Sequence, residues 1–217
     1  MTKTSKNIDV SIVLPTYNRA GLLQKSINSI LKQTFKNWEL LVVDSHSSDN
    51  TSELMNTLSA NDSRIKYFNV PKSPIPGISD YLNFGINNSK GKYIARMDDD
   101  DVWCFAGKLK QQVDFLDSNK EYVLVGGGVV MVDAVDNVLY KFFKNEKDEE
   151  IRNRSLLACP FEHTTIMFRR DLAVSIGGYN NFKVAEDWDF FLRLGLKGKF
   201  YNFNPNCSLG IFSNDGH

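Results

Sequence analysis

Short β-branched or apolar runs alternate with stretches of helical spacing through the first hundred of the chain's 217 residues. Strands are expected over Val10–Leu14, Glu39–Val43, Ile65–Phe68 and Tyr93–Met97, with helices between them near Gly21–Lys32, Asn50–Ser59 and Ile78–Asn88. Strand and helix in that order close only as a parallel sheet with right-handed crossovers. The expected fold class is α/β: a Rossmann-like, mostly parallel sheet flanked by helices. In open sheets of this kind ligands gather beyond the carboxyl ends of the strands, so the residues leaving each strand carry the functional information.

Those residues are polar. Pro15-Thr16-Tyr17-Asn18-Arg19 follows the first strand, Asp44 to Asp49 the second, and Asp98-Asp99-Asp100-Asp101 the fourth. Asp49 reads as the N-cap of the next helix rather than a ligand contact. Four adjacent carboxylates repel by about 0.7 kcal/mol per pair at ~6 Å even in water, so the run calls for a cation. In an extended chain Asp98 and Asp100 face one way and Asp99 and Asp101 the other, and a hard oxygen pair suits Mg²⁺ or Mn²⁺. An EF-hand is excluded, because Val102 and Trp103 stand where the calcium loop needs an oxygen ligand and glycine. An aspartate-nucleophile phosphatase of the DxDx(T/V) type stays open as a rival, although that motif belongs after a first strand, and a solvated acidic turn is the inert alternative.

Composition narrows the field. Lys plus Arg and Asp plus Glu both number 26, and no basic stripe suggests a nucleic-acid partner. Met1 to Asp9 lacks the apolar stretch of a secretory signal, and the most apolar segment, Tyr122 to Val135, is too short to span a bilayer. A cytoplasmic protein is expected, with peripheral contact at the inner face of the membrane allowed. Cys104, Cys159 and Cys207 are too scattered for a disulfide framework or a zinc site and read as reduced, partly buried thiols. Pro15 to Arg19 holds no glycine, which excludes the phosphate loop of a nucleotidyltransferase.

Beyond Asp101 the rhythm weakens. A helix is expected over Phe105–Asp117, one strand over Tyr122–Val132, a solvated helical face over Lys144–Arg154, a strand over Thr165–Phe168, a Gly177-Gly178 turn and a helix over Glu186–Leu196. No Pro- or Ser-rich linker divides the chain, so one domain is expected.

Taken in order, several segments resemble the inverting family 2 glycosyltransferases of the GT-A fold. Ser11 to Arg19 looks like that family's opening strand and loop, and Gln33-Thr34-Phe35 through Val42-Val43-Asp44 like its second. Gly77 to Gly85 and Gly91 to Asp98 are similar to the approach to its DxD motif. Gly178-Tyr179 with Ala185-Glu186-Asp187-Trp188-Asp189 resembles its ED segment. The resemblance implies transfer of a sugar from a nucleotide-sugar donor, UDP-linked by preference, to an acceptor hydroxyl on a glycan or lipid-linked carrier, as in cell-surface polysaccharide synthesis.

Carried over residue by residue, it places Tyr17 against the nucleobase, Asp98 at the ribose or metal shell and Asp100 on a Mn²⁺ or Mg²⁺ bridging the phosphates. Asp44 holds the first of two base-reading acidic positions, and Ser45 stands at the second, where a hydroxyl supplies no charge. Pro15, Thr16, Tyr17, Asn18, Asp44, Ser45, Arg96, Asp98 and Asp99 are the expected donor contacts, and Asp98 and Asp100 the expected metal ligands. Asp187 matches the general base, since a hydroxyl is a poor nucleophile until a carboxylate takes its proton. Acids at a helix N-terminus are also favoured by its dipole, so Glu186 reads as a neighbour and Asp189 as structural. Residues 1–103 form the expected donor half and 104–217 the acceptor half. His163 reads equally as a pocket contact or a loop residue, His46 as exposed, and His217 as a further metal ligand or a chain end. Trp103 and Trp188 read as core residues before sugar platforms. A phosphohydrolase and a non-catalytic binding module remain the alternative functions.

Overall fold

β1 (Val10–Thr16) and β2 (Trp38–Asp44) are buried along their entire length, which in a sheet requires a layer on each face. The computed structural model, describing residues 7–72, 77–133, 137–204 and 210–213, supplies both layers. On one face α1 (Ala20–Leu31), α2 (Thr51–Asn61) and α4 (Lys108–Ser118) bring Leu23, Ile27, Met55, Leu109 and Leu116 onto Ile12, Leu14, Leu40 and Val42. On the other, α3 (Ser79–Asn88) and α7 (Glu186–Gly195) bring Leu82, Ile86, Phe190 and Leu194 onto Val13 and Ile94. Each side is a row of alternate strand residues meeting a helical stripe.

Among the described residues seven strands form the main sheet, in the order β3 (Ile65–Asn69), β2, β1, β4 (Tyr93–Arg96), β8 (Met167–Arg169), β5 (Tyr122–Gly127), β9 (Lys199–Phe203). The first four are mutually parallel, β8 is antiparallel to both neighbours, and β9 returns parallel to β5. The chain leaves β1 toward β2 and β3 and comes back on the other side as β4, so the topological switch point falls between β1 and β4. Pairing of β1 with β4 ends at Val13 and Arg96, whereas β1 and β2 run on to Thr16 and Asp44. Val13 accepts from Met97 on the β4 side and Thr16 accepts from Ser45 on the β2 side. Pro15, between them in alternation, therefore turns its missing N–H toward the edge where β4 has parted.

Glu39 fastens the opposite, amino-terminal edge. Its buried carboxylate accepts from Ser11 Oγ and the Lys90 amide, both at 2.6 Å, and pairs with Lys66. Gly91 crosses β1 so closely that a Cβ there would lie 2.4 Å from the Ser11 nitrogen.

The second half departs from the sequence expectation in several places, among them the strand expected over Thr165–Phe168, where Thr165 ends a 3-10 turn and β8 begins at Met167. The single strand expected over Tyr122–Val132 is two: β5 stays in the main sheet, and after Gly128 the chain enters a smaller sheet as β6 (Val129–Val132), between β7 (Val138–Phe142) and β10 (Gly210–Ser213). Gly128 lies under the Phe143 ring, 2.3 Å from where a Cβ would stand. The helix expected from Phe105 starts at Lys108, because Gln33 fastens the preceding turn to α1. The solvated face expected over Lys144–Arg154 is helical only as α5 (Asp148–Arg154), and Lys144 turns inward to the carbonyls of Cys159 and Phe161 and to Glu162.

Lys108 is fully buried, donates to Gln112 Oε1 at 2.8 Å and lies over the Trp103 ring. Burial holds its amine well below the usual lysine range. Folding therefore releases a proton below pH 10.5, and stability rises with pH as that penalty is relieved. Lys108→Met is expected to stabilise the protein by about 1–4 kcal/mol near neutral pH, the range seen when buried charges give way to apolar residues. The gain should shrink as pH approaches 10, measured as the difference in Tm from the parent.

Candidate active site

The carboxyl edge where β1 and β4 part opens a cleft of about 390 Å³ lined by Pro15, Thr16, Tyr17, Ser45, Asp98 and Asp99, with Arg19, Gly77, Ile78 and Tyr81 completing the wall. Pro15 and Thr16 are the last residues of β1 and Asp44 the last of β2, so the polar segments begin inside the strands.

Asn18 sits in the left-handed region, φ 53°, and knits this loop to the one after β2. Its amide donates to Ser47 Oγ at 2.8 Å, and its Oδ1 accepts from the Ser48 amide at 2.7 Å. The N-cap of α2 is Asn50 rather than the expected Asp49, which stands one residue earlier and accepts from the first amide of each of two helices, Ala20 of α1 and Thr51 of α2. Asp44 is wholly buried; it accepts from Ser47 and from the Tyr67 hydroxyl, whose pKa is pushed up to about 12 by burial and by that carboxylate. Ser45, by contrast, lines the cleft and donates to the Tyr81 hydroxyl at 2.6 Å. Tyr17 is 44% exposed at the cleft mouth, with Lys72 over its ring.

The aspartate run is not extended. β4 ends at Arg96 and the chain turns at once, the Asp101 amide reaching back to the Asp98 carbonyl. The turn still separates the run as alternation would: Asp98 and Asp100 are partly exposed, at 30% and 36% of their side chains, while Asp99 and Asp101 are buried. Ser26 of α1 pins the turn by donating to the carbonyls of Asp99 and Asp101. Burial and the charge on Asp98 push the Asp101 carboxyl well above the usual range, which favours its neutral form.

Two guanidinium groups neutralise the rest. Arg96, only 1% exposed, meets Asp98 at 2.6 Å, so its charge reaches the cleft through that carboxylate. Arg19 bridges Asp99 at 3.1 Å and Asp100 at 2.6 Å, and Thr16 Oγ1 holds the other oxygen of Asp99 at 2.7 Å. The role of Arg19 was not read from the sequence; its place after the first strand was the available signal.

A divalent cation fits this edge. Among the described residues no three metal-ligating side chains cluster, but Mg²⁺ and Mn²⁺ sites commonly use one or two carboxylates and complete their shell from substrate phosphates and water. Asp98, which lines the cleft, and Asp100, partly exposed two residues on, are two such carboxylates, and each is already paired with a guanidinium group.

α7 begins beside them. Ala185, left-handed at φ 63°, turns the chain so that Glu186 and Asp187 start the helix. Burial raises the Glu186 carboxyl, and the charges of Asp187, Arg96 and Asp98 act on it too, which places the helix start within electrostatic reach of the aspartate turn. Asp187 accepts from the Trp188 amide at 2.7 Å, and its other oxygen lies 3.8 Å from Cys159 Sγ. Asp189 pairs with Arg193 at 2.7 Å, a structural role.

His163 meets the Tyr179 hydroxyl at 2.9 Å beneath α7, and burial and Arg96 hold its imidazole well below the usual histidine range. Its ring also meets Phe191 of α7 edge-on. Trp103 is buried with its indole N–H on the Thr164 carbonyl, and Trp188, half-buried, donates to Ser155. His46 is exposed in the loop after β2. Cys104 is exposed rather than partly buried, Cys159 is half-buried, and Cys207 and His217 lie outside the described residues.

Comparison with known proteins shows the family and the fold. The sequence model described as Glycosyl transferase family 2 matches residues 11–177. A relative from Escherichia coli, UDP-Glc:alpha-D-GlcNAc-diphosphoundecaprenol beta-1,3-glucosyltransferase WfgD, is 34% identical over 86% of this chain and 69% of its own length. A Campylobacter jejuni relative, GalNAc(5)-diNAcBac-PP-undecaprenol beta-1,3-glucosyltransferase, is 33% identical over 70% of this chain and 48% of its own. S. aureus TarS 1-349 in complex with UDP superposes with a TM-score of 0.78 at 21% identity, over 94% of this chain and 60% of that one. The mannosyltransferase PcManGT from Pyrobaculum calidifontis, with GDP-Man and Mn²⁺, gives 0.70 at 18% over 94% and 57%. This chain thus spans about 60% of the TarS chain, and the GT-A fold is common to them.

Proposed function

We propose that this chain, which belongs to glycosyl transferase family 2, moves a sugar from a UDP-sugar to a hydroxyl of a lipid-linked glycan, inverting the anomeric carbon. The observation that carries the reading is the gathering, at one switch-point edge, of a nucleotide-sized cleft, two cation-seeking carboxylates and the start of α7 with Asp187.

In this reading residues 1–103 hold the donor. Tyr17 offers its ring to the base, and Ser45, on the Tyr81 hydroxyl, reads the base edge. Asp44 acts from beneath, bracing the Ser45–Ser48 loop. Asp98 and Asp100 hold Mn²⁺ or Mg²⁺, which when bound supplies positive charge to the diphosphate as it departs. Asp187 takes the proton of the acceptor hydroxyl as its oxygen attacks the anomeric carbon opposite the nucleotide, which gives inversion. Residues 104–217 present the acceptor. The UDP preference and the lipid-linked acceptor are supported by what the TarS structure binds and by the names of the two relatives. Among the described residues no helix is long and apolar enough to cross a membrane.

The test is thermal unfolding with UDP, GDP, TDP and CMP sugars, each with Mn²⁺ and again with chelator. A ligand at a hundred times its Kd stabilises by about 2.7 kcal/mol. A rise in Tm with UDP-sugars that chelator abolishes is expected. Release of inorganic phosphate from phosphomonoesters with no donor-dependent shift would replace the transferase by the phosphohydrolase.

A further inference from the structure

A second cavity, of about 450 Å³, shares no lining residue with the donor cleft. Phe142 and Phe143 form one wall, and Arg154, Ala158, Cys159 and Pro160 another. Two contacts tie it to the proposed base: Cys159 Sγ lies 3.8 Å from Asp187 Oδ2, and the Trp188 indole holds the Ser155 carbonyl at 2.6 Å. Cys159 is thus both part of this cavity's wall and a neighbour of Asp187.

The lining names the ligand's chemistry. Lys144 in the floor is already neutralised by Glu162 at 2.8 Å. Arg154 at the rim is exposed, and among the described residues no carboxylate lies within ion-pair distance of it. It can meet an anion without first breaking a bond. Two and three residues after it Leu156 and Leu157 are 78% and 83% exposed; in the facing wall Phe142 is 46% exposed, and Tyr140, two residues before it on the same strand, is 55% exposed. An unpaired guanidinium set among exposed apolar side chains suits an anion that carries a hydrocarbon chain.

We propose that this cavity is the acceptor subsite and takes the diphosphate end of a polyprenyl-type lipid, with Arg154 on the diphosphate and Leu156, Leu157 and the exposed face of β7 along the chain. The proposal rests on the glycosyltransferase reading and adds to it the acceptor's seat.

Farnesyl diphosphate is the probe, titrated calorimetrically into the protein saturated with UDP and Mn²⁺. Binding without displacement of UDP is expected. Arg154→Glu should weaken it about tenfold or more, the loss of one hydrogen bond to a charged group, and Ala158→Trp, which fills the cavity, should do the same. UDP affinity should stay within roughly twofold in both, neither residue lining the donor cleft. Displacement of UDP by the probe, unchanged probe affinity in both variants, or farnesol binding as tightly as its diphosphate would each overturn the subsite. Failure of UDP to bind the unaltered protein would defeat the transferase reading itself, and so separates the two.

Discussion

Asp187→Asn is expected to lower kcat by about 10²–10⁴-fold, the span that a positioned general base contributes, while the affinity for UDP-sugar and its dependence on Mn²⁺ stay as they were. The geometry makes the separation sharp. Asp187 stands in the first turn of α7 and is absent from the wall of the donor cleft. Asparagine keeps an oxygen to accept from the Trp188 amide at 2.7 Å, so the helix start is preserved and only proton acceptance is lost. Single-turnover transfer, with donor binding measured in parallel, checks it. Near-normal turnover would return Asp187 to the role of a helix-start acid favoured by the dipole. The same experiment on Glu186, whose carboxyl burial raises, tests the neighbouring acid at the helix start: a much smaller loss of kcat than for Asp187 is expected.

The first half of the chain was legible because its signals are local. β1 and β2 are mostly apolar runs of the right length, the helices between the strands carry the 3.6 period, and the aspartates mark the edge where charge is tolerated. What the sequence hid depends on distant contacts. Arg19 meets Asp99 and Asp100 across some eighty positions, and Cys159 meets Asp187 across twenty-eight; no periodicity encodes either. The strand over Tyr122–Val132 divides because Gly128 passes beneath Phe143 and the chain changes sheets there, a tertiary event inside an unbroken apolar run. Lys144 reads as part of a charged surface helix, yet its amine donates to the carbonyls of Cys159 and Phe161. The exposed and buried aspartates were sorted correctly for the wrong reason: strand alternation predicted the division, and a turn pinned by Ser26 produces it.

Asp100→Ala is expected to erase the chelator-sensitive part of donor binding. At a hundred times Kd that part is worth about 2.7 kcal/mol, or roughly 5–11 °C in Tm for a protein of this size. The apo protein should change little: the lost pair with Arg19 at 2.6 Å is about one-third exposed on both sides, where such pairs contribute ~0–1 kcal/mol, and Arg19 keeps Asp99 at 3.1 Å. Arg19→Ala separates the two functions of that edge. In the ligand-free protein its guanidinium occupies the charge that a divalent cation would otherwise satisfy, so its removal leaves Asp99 and Asp100 uncompensated and should tighten Mn²⁺ binding in the absence of donor, read by electron paramagnetic resonance of the free ion. Weaker Mn²⁺ binding in Arg19→Ala would show that the arginine shapes the aspartate turn instead of competing for it. An Asp100→Ala protein whose UDP-sugar shift still vanished with chelator would move the cation to Asp98 and the remaining carboxylates of the turn.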